Sequence, residues 1–378
     1  MKCVVIHANV LWAIVNFRLD LMHFLQKEGF RVVCVADIDD FSKLSMEKLA
    51  QYNIEFFKVS IGRKSLNPLK ELRYMYTLFC AYQKIKPDIV LSYSIKPNIF
   101  GNFVARMMGI PVISTINGLG SGFLGKSWLK WVVKTLYKLG LTSPRVVFFQ
   151  NKEDMGIFVE EGLVASHKAR YVAGSGINTH NFADCAKQSD GQLSFCLIAR
   201  LLKDKGVLEY IEAIRLLKKE GINTSEAQFY LGGAFDKGNP SGILEEDVHA
   251  WEEEGLVKYL GVTDNIKEFL QRTDVVVLPS YREGLSRVLL EAGCAKKAII
   301  TTDVAGCRDI VEEGENGFLV QVRSSKSLCE GFLKMLSLPK ESILAMGEKG
   351  FIKVQNTFSQ DKINAIYLST IKEVLGNG

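Results

Sequence analysis

Two glutamates with seven residues between them are the first candidates for chemistry in this sequence. Glu283 and Glu291 lie in Val275–Ala292, where an apolar run typical of a buried strand ends and a helical pattern begins. Their spacing places Glu291 about two turns into that helix, so both carboxylates can face one ligand. Ligands of open α/β sheets bind at the carboxyl ends of strands, and N–H groups at a helix start attract phosphate. The segment therefore predicts a site for a phosphorylated ligand; outside that context, two solvated glutamates would be the simpler interpretation.

Two cations follow another apolar run in the same half of the chain. Arg200 and Lys205 lie between the strand pattern Leu193–Ala199 and the helical pattern Gly206–Glu220. An arginine binds two oxygens at once and a lysine acts as a point charge, so the pair suits a diphosphate. A pair of ordinary surface cations is the alternative.

Glycines follow the next two strand patterns. Gly232 and Gly233 follow the strand pattern Gln228–Leu231, and Gly261–Asn265, which contains Val262, follows the strand pattern Val257–Tyr259. Glycine lets the backbone approach a ligand closely. Each signal is weak alone, but four ligand-suited loops after four strands of one domain predict a nucleotide site.

The elements that must position these residues form two α/β halves. The chain has 378 residues, a length that suggests two domains. Short β-branched runs alternate with helical patterns from Cys3 to Gln150, and the alternation restarts at Leu193 after the polar linker Ala183–Gly191. Such alternation indicates parallel sheets with right-handed crossovers. The prediction is two doubly wound domains facing a cleft, 1–182 and 183–356, with 357–378 forming a helix that crosses back to the first domain.

Composition and charge narrow the class of protein. Hydrophobic residues make up 47% and charged residues 24% of the chain, as in soluble globular proteins, which excludes disorder, collagen and coiled coil as the main plan. No charge-free apolar run reaches the roughly 18 residues that a membrane span needs. Residues 1–180 contain 23 basic and 13 acidic residues, a net +10, whereas the remainder is −5. This asymmetry favours an anionic partner for the first half, with drift in surface composition as the alternative.

The segment Lys126–Gly140 is a strongly basic helical pattern. Lys126, Lys130, Lys134 and Lys138 recur every four residues and form one slowly drifting stripe, flanked by tryptophan, leucine, valine and tyrosine side chains. A basic helix with aromatic residues suits an anionic membrane surface. The alternative is an ordinary helix with its apolar side in the core.

Taken together, these segments resemble the family 4 glycosyltransferases of the GT-B fold, which are retaining nucleotide-sugar transferases. The resemblance extends over nearly the whole chain and includes Gly174–Asn178 at the domain junction, Cys196–Gly206, the two glutamates, and Thr302–Val320. It implies an α/β protein of two Rossmann-like domains facing a cleft, the second of which binds the nucleotide sugar. No nucleic-acid partner is expected.

The resemblance also implies roles for individual residues. Arg200 and Lys205 bind the donor diphosphate, Glu283 lies against the donor sugar near its anomeric carbon, and Glu291 takes the ribose hydroxyls. The N–H groups of Gly284, Leu285 and Ser286 contact the donor sugar and phosphate, and the backbone near Val262 faces the base. The remaining donor-binding positions are Gly232 and, in a loop of the first domain, Asn117 and Gly118. Two positions depart from the family pattern, since Ser286 stands where proline is frequent and Lys296 where glycine is.

Within that family, the first half looks like bacterial enzymes that extend a glycan on undecaprenyl diphosphate, among them transferases of N-acetylgalactosamine. The matching segments are Ser65–Pro68, Asn98–Gly101, Asn117–Phe123 and Leu136–Gly140. The resemblance implies a UDP-sugar donor, a polyprenyl-diphosphate-linked acceptor, and a cytoplasmic enzyme that is peripheral on the inner face of the plasma membrane. A non-catalytic sugar- or nucleotide-binding protein and a UDP-sugar epimerase of GT-B shape are the alternatives.

A metal cofactor is not expected. Asp37-Ile38-Asp39 has the D-x-D pattern of metal sites in the other large glycosyltransferase fold, GT-A, but it follows the second strand of a doubly wound domain, where a solvated loop is the simpler interpretation. No other cluster of histidine, cysteine and carboxylate has the spacing of a metal site. We therefore expect transfer that requires neither a metal nor another cofactor.

Overall fold

The computed structural model divides the chain into two compact units. It describes residues 1–39, 42–62, 67–119, 127–185, 192–221, 227–236 and 238–376. The first unit comprises Met1–Gly176 and Gln360–Gly378, and the second comprises Ile177–Ser359. The sequence analysis placed the first boundary after residue 182, and the structure places it after Gly176. The segment that rejoins the first unit was expected to begin at residue 357, and it begins at Gln360.

The first unit is built on a seven-stranded parallel sheet. Its strand order is β3-β2-β1-β4-β5-β6-β7. The second and third strands are added on one side of β1 and the last four on its other side, so the strand order reverses at the junction of β1 and β4. The strands are β1 (Cys3–Val10), β2 (Arg31–Asp37), β3 (Glu55–Lys58), β4 (Ile89–Tyr93), β5 (Val112–Ile116), β6 (Val146–Phe149) and β7 (Ala169–Tyr171). The helices between them are α1 (Leu11–Lys27), α2 (Ser42–Gln51), α3 (Pro68–Ile85), α4 (Asn102–Met107), α5 (Ser127–Gly140) and α6 (Lys152–Glu160).

The central strands β4, β5 and β6 are buried along their whole length because helices cover both faces of the sheet. His7 lies in the middle of β1 and is fully buried. Its ring nitrogens lie 3.1 Å from the Tyr74 hydroxyl and 3.0 Å from the Tyr82 hydroxyl, both on α3. Burial lowers the pKa of His7 to about 3, so the ring is neutral and serves as a core residue between β1 and α3.

The second unit repeats the doubly wound plan on a six-stranded parallel sheet, in the order β10-β9-β8-β11-β12-β13. Its strands are β8 (Leu193–Ile198), β9 (Ala227–Gly232), β10 (Lys258–Tyr259), β11 (Val275–Leu278), β12 (Ala298–Thr302) and β13 (Gly317–Val320). Its helices are α7 (Val207–Lys219), α8 (Glu245–Glu253), α9 (Lys267–Leu270), α10 (Arg287–Cys294), α11 (Ser325–Leu336) and α12 (Lys340–Phe358). The predicted fold class, two doubly wound α/β units, is confirmed.

The last helix, α13 (Gln360–Val374), packs on the first unit. The Tyr367 hydroxyl lies 2.9 Å from Thr115 Oγ1 at the end of β5, and Glu373 forms a two-bonded ion pair with Arg170 on β7. Tyr367 also packs near the buried guanidinium of Arg18 on α1. These contacts tie the end of the chain to the sheet of the first unit.

Two helices of the first unit follow the preceding element without a loop. α1 begins at Leu11, because β1 continues to Val10 and passes directly into the helix. A π-helical turn, Pro97–Gly101, leads directly into α4. In the part of the chain that the structure describes, no helix combines the length and the apolarity that crossing a bilayer requires.

Candidate active site

The loop after β8 carries the two predicted diphosphate-binding cations. It passes Arg200 and a short turn that ends at Lys205, and α7 then begins after Gly206. Gly206 has a φ of +76°, and a Cβ on it would lie 2.2 Å from the carbonyl oxygen of Pro279, which follows β11. Glycine is required here because the two loops touch backbone to backbone. This contact brings the cation-bearing loop against the glutamate-bearing loop.

Replacing Gly206 with alanine is expected to destabilise the second unit by about 3 kcal/mol, because a left-handed backbone and an overlap with Pro279 are combined. Gly255→Ala is the matched control, since Gly255 has a φ of +65° and only Lys218 Nζ, at 3.9 Å, near the added carbon. We expect about 1 kcal/mol for the control from backbone strain alone. Urea unfolding measures both values, and equal losses would show that the close approach to Pro279 is not the cause.

Lys205 and Glu283 form an ion pair at this loop contact. Lys205 Nζ lies 2.7 Å from Glu283 Oε1, and the two side chains are only 18% and 15% exposed. The hydroxyl of Ser280 donates to the same carboxylate oxygen at 2.8 Å. The structure therefore places a largely desolvated cation and a carboxylate together at the carboxyl ends of β8 and β11, where ligands of parallel sheets bind.

Arg200 is the exposed member of the cation pair. Its side chain is 64% exposed, and its Nη1 lies 3.2 Å from Asp236 Oδ2 in the loop after β9. An exposed ion pair of this kind contributes little to stability, so the guanidinium can exchange its carboxylate partner for a bound anion at little cost. The sequence analysis did not select Asp236, although an acidic residue in the loop after β9 lies where a partner of Arg200 could be expected.

Glu291 lies closer to the start of its helix than the sequence indicated. α10 begins at Arg287, and Ser286 is its N-cap, whose side-chain oxygen accepts from Leu289 N–H, so Glu291 is just over one turn into the helix instead of two. Arg287 Nε donates to Glu291 Oε1 at 2.9 Å. Burial raises the pKa of Glu291, and the Arg287 charge opposes that shift only in part. Arg287 was missed, although an arginine four residues before a glutamate on a helix predicts such a pair.

The loop Glu283–Ser286 is held against the segment after β12. Ser286 N–H donates to the carbonyl of Gly306 at 3.2 Å. Gly306 has a φ of +76°, and a Cβ on it would lie 2.5 Å from the Gly284 carbonyl oxygen. Because the Ser286 N–H is engaged, a donor contact through that group, as predicted from the sequence, would require exchange of this hydrogen bond. The predicted contacts through the N–H groups of Gly284 and Leu285 stay predictions.

The glycines after β9 have packing reasons of their own. A Cβ on Gly232 would lie 2.7 Å from the ring of Phe269, and one on Gly233 would overlap the carbonyl oxygen of Ala199. Tyr259 donates its hydroxyl to the Gly233 carbonyl at 2.8 Å. Close approach of backbone to neighbouring protein atoms therefore accounts for both glycines. Val262, in the loop after β10, is exposed, and its predicted contact with the base stays a prediction.

The first-unit candidates lie partly outside the described residues. Asn117 and Gly118 follow β5, and Asn117 is exposed. The rest of the glycine-rich loop, 120–126, lies outside the described residues, and Lys126 of the lysine stripe lies with it. Lys130 and Lys138 are exposed on α5, whereas Lys134 forms an ion pair with Glu161 at 2.6 Å.

The two aspartates of the D-x-D pattern after β2 accept hydrogen bonds from neighbouring groups of the protein. Asp37 accepts the N–H groups of Ile38 and Ile61 at 2.9 and 2.7 Å, so its carboxylate ties the loop to the segment after β3. Asp39 accepts from the hydroxyl of Ser42 at 3.0 Å, at the start of α2. Among the described residues, no group of three or more histidine, cysteine, aspartate or glutamate side chains is arranged to hold a metal ion.

The two doubly wound units have the GT-B architecture that the sequence predicted. The chain belongs to the glycosyltransferases: residues 183–352 match the family model "Glycosyl transferases group 1", and residues 5–151 match "Glycosyl transferase 4-like". The predicted membership of the glycosyltransferases is thus confirmed.

Named relatives resemble the chain over most of its length. It is 27% identical to the Campylobacter jejuni N,N'-diacetylbacillosaminyl-diphospho-undecaprenol alpha-1,3-N-acetylgalactosaminyltransferase, over 93% of this chain and 91% of that protein. It is 22% identical to the Escherichia coli UDP-Gal:alpha-D-GlcNAc-diphosphoundecaprenol alpha-1,3-galactosyltransferase, over 84% and 85% of the two chains. The solved structure of Anabaena Alr3699/HepE in complex with UDP shares the fold, with a TM-score of 0.79, 16% identity, and coverage of 99% of this chain and 100% of that one.

Proposed function

We propose that this chain is a retaining glycosyltransferase that moves an N-acetylhexosamine, such as N-acetylgalactosamine, from a UDP-sugar to a saccharide on undecaprenyl diphosphate. The reaction serves the assembly of a bacterial surface polysaccharide or glycoprotein glycan. The observation that carries the proposal is the desolvated Lys205–Glu283 pair at the carboxyl ends of β8 and β11. Similarity to two proteins named for transfer onto diphosphoundecaprenol-linked sugars supports the acceptor class.

The two cations stabilise the leaving group in this proposal. The acceptor hydroxyl oxygen forms a bond to the anomeric carbon of the donor, while the bond from that carbon to the diphosphate oxygen breaks. The acceptor proton passes to the departing diphosphate, and attack on the face that the diphosphate leaves gives retention. Lys205 and Arg200 stabilise the negative charge that develops on the diphosphate. Fixed charges stabilise a transition state more strongly where water is excluded.

The Lys205–Glu283 pair also fixes the position of the carboxylate. Glu283 accepts hydrogen bonds from both Lys205 and Ser280, so its carboxylate is oriented before a donor arrives. A carboxylate held in this position can accept hydrogen bonds from hydroxyls of the donor sugar. It can also stabilise the positive charge that develops on the anomeric carbon. We propose that the largely buried Glu291 on α10 accepts hydrogen bonds from the ribose hydroxyls of the donor.

The acceptor places the reaction at a membrane surface in this proposal. An undecaprenyl chain is anchored in the bilayer, so an enzyme acting on its diphosphate-linked saccharide works at the lipid–water interface. We propose a peripheral location on the inner face of the plasma membrane, with the exposed lysines of α5 directed to anionic lipid.

A donor and acceptor screen tests the proposed function. The purified chain is incubated with individual UDP-sugars and a short-chain polyprenyl diphosphate bearing a saccharide, and products are identified by mass spectrometry. We expect one UDP-N-acetylhexosamine to give an acceptor extended by one residue, together with UDP, and EDTA to leave the rate unchanged because Arg200 and Lys205 supply the positive charge. Binding of UDP-sugar without turnover would indicate a binding protein, and a new UDP-sugar without acceptor would indicate an epimerase.

A further inference from the structure

Three consecutive helices of the first unit share one face of the sheet. Because β4, β5 and β6 lie successively on one side of β1, the right-handed crossovers through α3, α4 and α5 all lie on the same face. α3 contacts α4 and the π-helical turn, and α5 contacts the same turn. Gly140 allows this packing, since a Cβ there would lie 2.7 Å from the backbone of Asn98 and Ile99.

Large apolar side chains project from the outer side of this helical layer. On α3 the residues that face the core, such as Tyr74 and Leu78, are fully buried, whereas the opposite side of the helix is exposed. The exposed apolar residues of the three helices range from 51% to 74% exposure and are Leu69, Leu72, Tyr76, Phe103, Met107, Trp131 and Leu139. Several large exposed apolar side chains on neighbouring helices are a feature of interaction sites.

The charged residues of the same three helices are mostly basic. The three helices contain seven basic residues, namely Lys70, Arg73, Lys84, Arg106, Lys130, Lys134 and Lys138. Their single acidic residue, Glu71, is buried and forms an ion pair with Lys96. Between Asp88 and Glu153 the sequence has eight basic residues and no acidic one.

Arg106 and two further cations, Arg145 and Lys168, lie close together at the end of α5. Arg106 Nη1 donates to Thr142 Oγ1 at 3.2 Å, and Lys168 Nζ donates to the Thr142 carbonyl at 2.7 Å. Partial burial and the charges of Arg145 and Arg106 lower the pKa of Lys168. Within the described part of the chain, none of these three cations forms an ion pair with a carboxylate. Converging cations without a carboxylate suit a phosphate group.

We propose that the outer sides of α3, α4 and α5, together with the cations around Thr142, form one docking face that binds an anionic phospholipid bilayer. This inference rests on the proposed function, in which the acceptor is lipid-linked, and assigns the residues that hold the enzyme at the lipid. A bilayer supplies hydrocarbon for Phe103, Met107 and Trp131 and negative headgroups for the surrounding cations. Apart from Glu161, which pairs with Lys134, the charges named for this face are positive, so an anionic bilayer is the occupant that they favour.

Vesicle binding tests the apolar part of the docking face. The full chain is sedimented with vesicles of phosphatidylglycerol and phosphatidylcholine, and Phe103→Ser/Met107→Ser is compared with Leu344→Ser/Ile352→Ser, whose parent side chains are similarly exposed on α12. We expect the α4 variant to bind about tenfold more weakly or worse, because one buried large apolar side chain contributes more than 1.4 kcal/mol. The α12 control should bind as the wild type does.

The same assay tests the charged part. Arg106→Gln/Arg145→Gln should weaken binding by up to about thirtyfold, at about 1 kcal/mol for each charge near the surface. Added salt and vesicles of pure phosphatidylcholine should weaken wild-type binding in the same direction. Circular dichroism confirms that each variant is folded. Equal vesicle binding by wild type and both docking-face variants would overturn the inference.

Two further readouts separate this inference from the proposed function. Transfer to a soluble short-chain acceptor should be unchanged in the docking-face variants, so loss of vesicle binding with normal transfer supports both proposals. Transfer without any vesicle binding contradicts the docking face alone, and vesicle binding without any transfer contradicts the proposed function alone. Sedimentation equilibrium covers a protein partner: a dimer that the Phe103→Ser/Met107→Ser variant abolishes, with no vesicle binding, would assign the face to a second copy and overturn the inference.

Discussion

Lys205→Ala is expected to lower the turnover number of sugar transfer by about a hundredfold to a thousandfold, with a smaller change in the KM for the UDP-sugar. Lys205 is a largely desolvated cation at the predicted diphosphate site, and removing one fixed stabilising group from a closed site costs about 3–4 kcal/mol in the transition state. Steady-state kinetics with the donor identified by the screen measure the effect.

Two further variants make the Lys205 result interpretable. Lys349→Ala is the matched control, because Lys349 forms an exposed ion pair with Glu315 at 2.6 Å, far less desolvated than the pair in the site. Lys205→Ala leaves Glu283 without its cation, which can destabilise the fold, so the double variant Lys205→Ala/Glu283→Gln removes both charges. We expect the double variant to recover stability and to remain inactive. Near-normal turnover in a folded Lys205 variant would remove Lys205 from the catalytic assignment.

Glu291→Gln is expected to raise the KM for the UDP-sugar about tenfold to a hundredfold, with little change in turnover number. A hydrogen bond from a ribose hydroxyl to a carboxylate contributes about 1.5–3 kcal/mol, and the amide accepts such bonds less strongly. Exposed Glu348, which pairs with Lys296 outside the site, supplies the control substitution Glu348→Gln. An unchanged KM would mean that Glu291 only orients Arg287.

The same substitution has an expected effect on stability with a defined sign. Burial raises the pKa of Glu291, so the folded state favours the protonated carboxyl. The stabilisation from that group is present at low pH and is lost as the pH rises through the raised pKa. At neutral pH, Glu291→Gln should therefore unfold at the same temperature as the wild type or a higher one, and any gain should disappear in acid. A lower unfolding temperature at neutral pH would contradict this account.

The sequence predicted the sheet architecture because buried parallel strands leave a strong pattern. Continuous β-branched runs such as Val275–Leu278 are visible without a structure, and the loop that follows each run is the place where ligands bind. The cation loop and the glutamate loop were therefore identified together. Their direct contact through Gly206 and Pro279 was not predictable, since it depends on how two non-consecutive strands, β8 and β11, pair.

Helix boundaries were predicted less well because side-chain hydrogen bonds set them. Asn98 and Asn102 both bond the hydroxyl of Ser92, and Asn98 also donates to the Thr115 carbonyl, so a polar network over β4 and β5 accompanies the π-helical turn before α4. A pattern of apolar residues does not record such a network. At α10, the Ser286 cap places Glu291 one turn earlier than the apolar pattern indicated.

The sequence analysis also missed the side chains that contact the predicted site residues. Asp236 next to Arg200 and Arg287 next to Glu291 lie close in space through loop and helix geometry, and only the second pair has a spacing that a sequence reveals. Gly232 was assigned to ligand contact, and the ring of Phe269, from an element 37 residues later in the chain, gives it a packing role that local patterns do not record.

The anomeric configuration of the product tests the central claim most directly. The chain is incubated with UDP-N-acetylgalactosamine, or the UDP-N-acetylhexosamine that the screen selects, and a short-chain polyprenyl diphosphate saccharide, and the new glycosidic bond is assigned by proton NMR. The donor is an α-glycoside, so the account predicts an α-linked product, formed by wild type and lost in the Lys205 variant. A β-linked product would contradict the retaining mechanism, and the absence of any new glycosidic bond with every donor would contradict the proposed transfer itself.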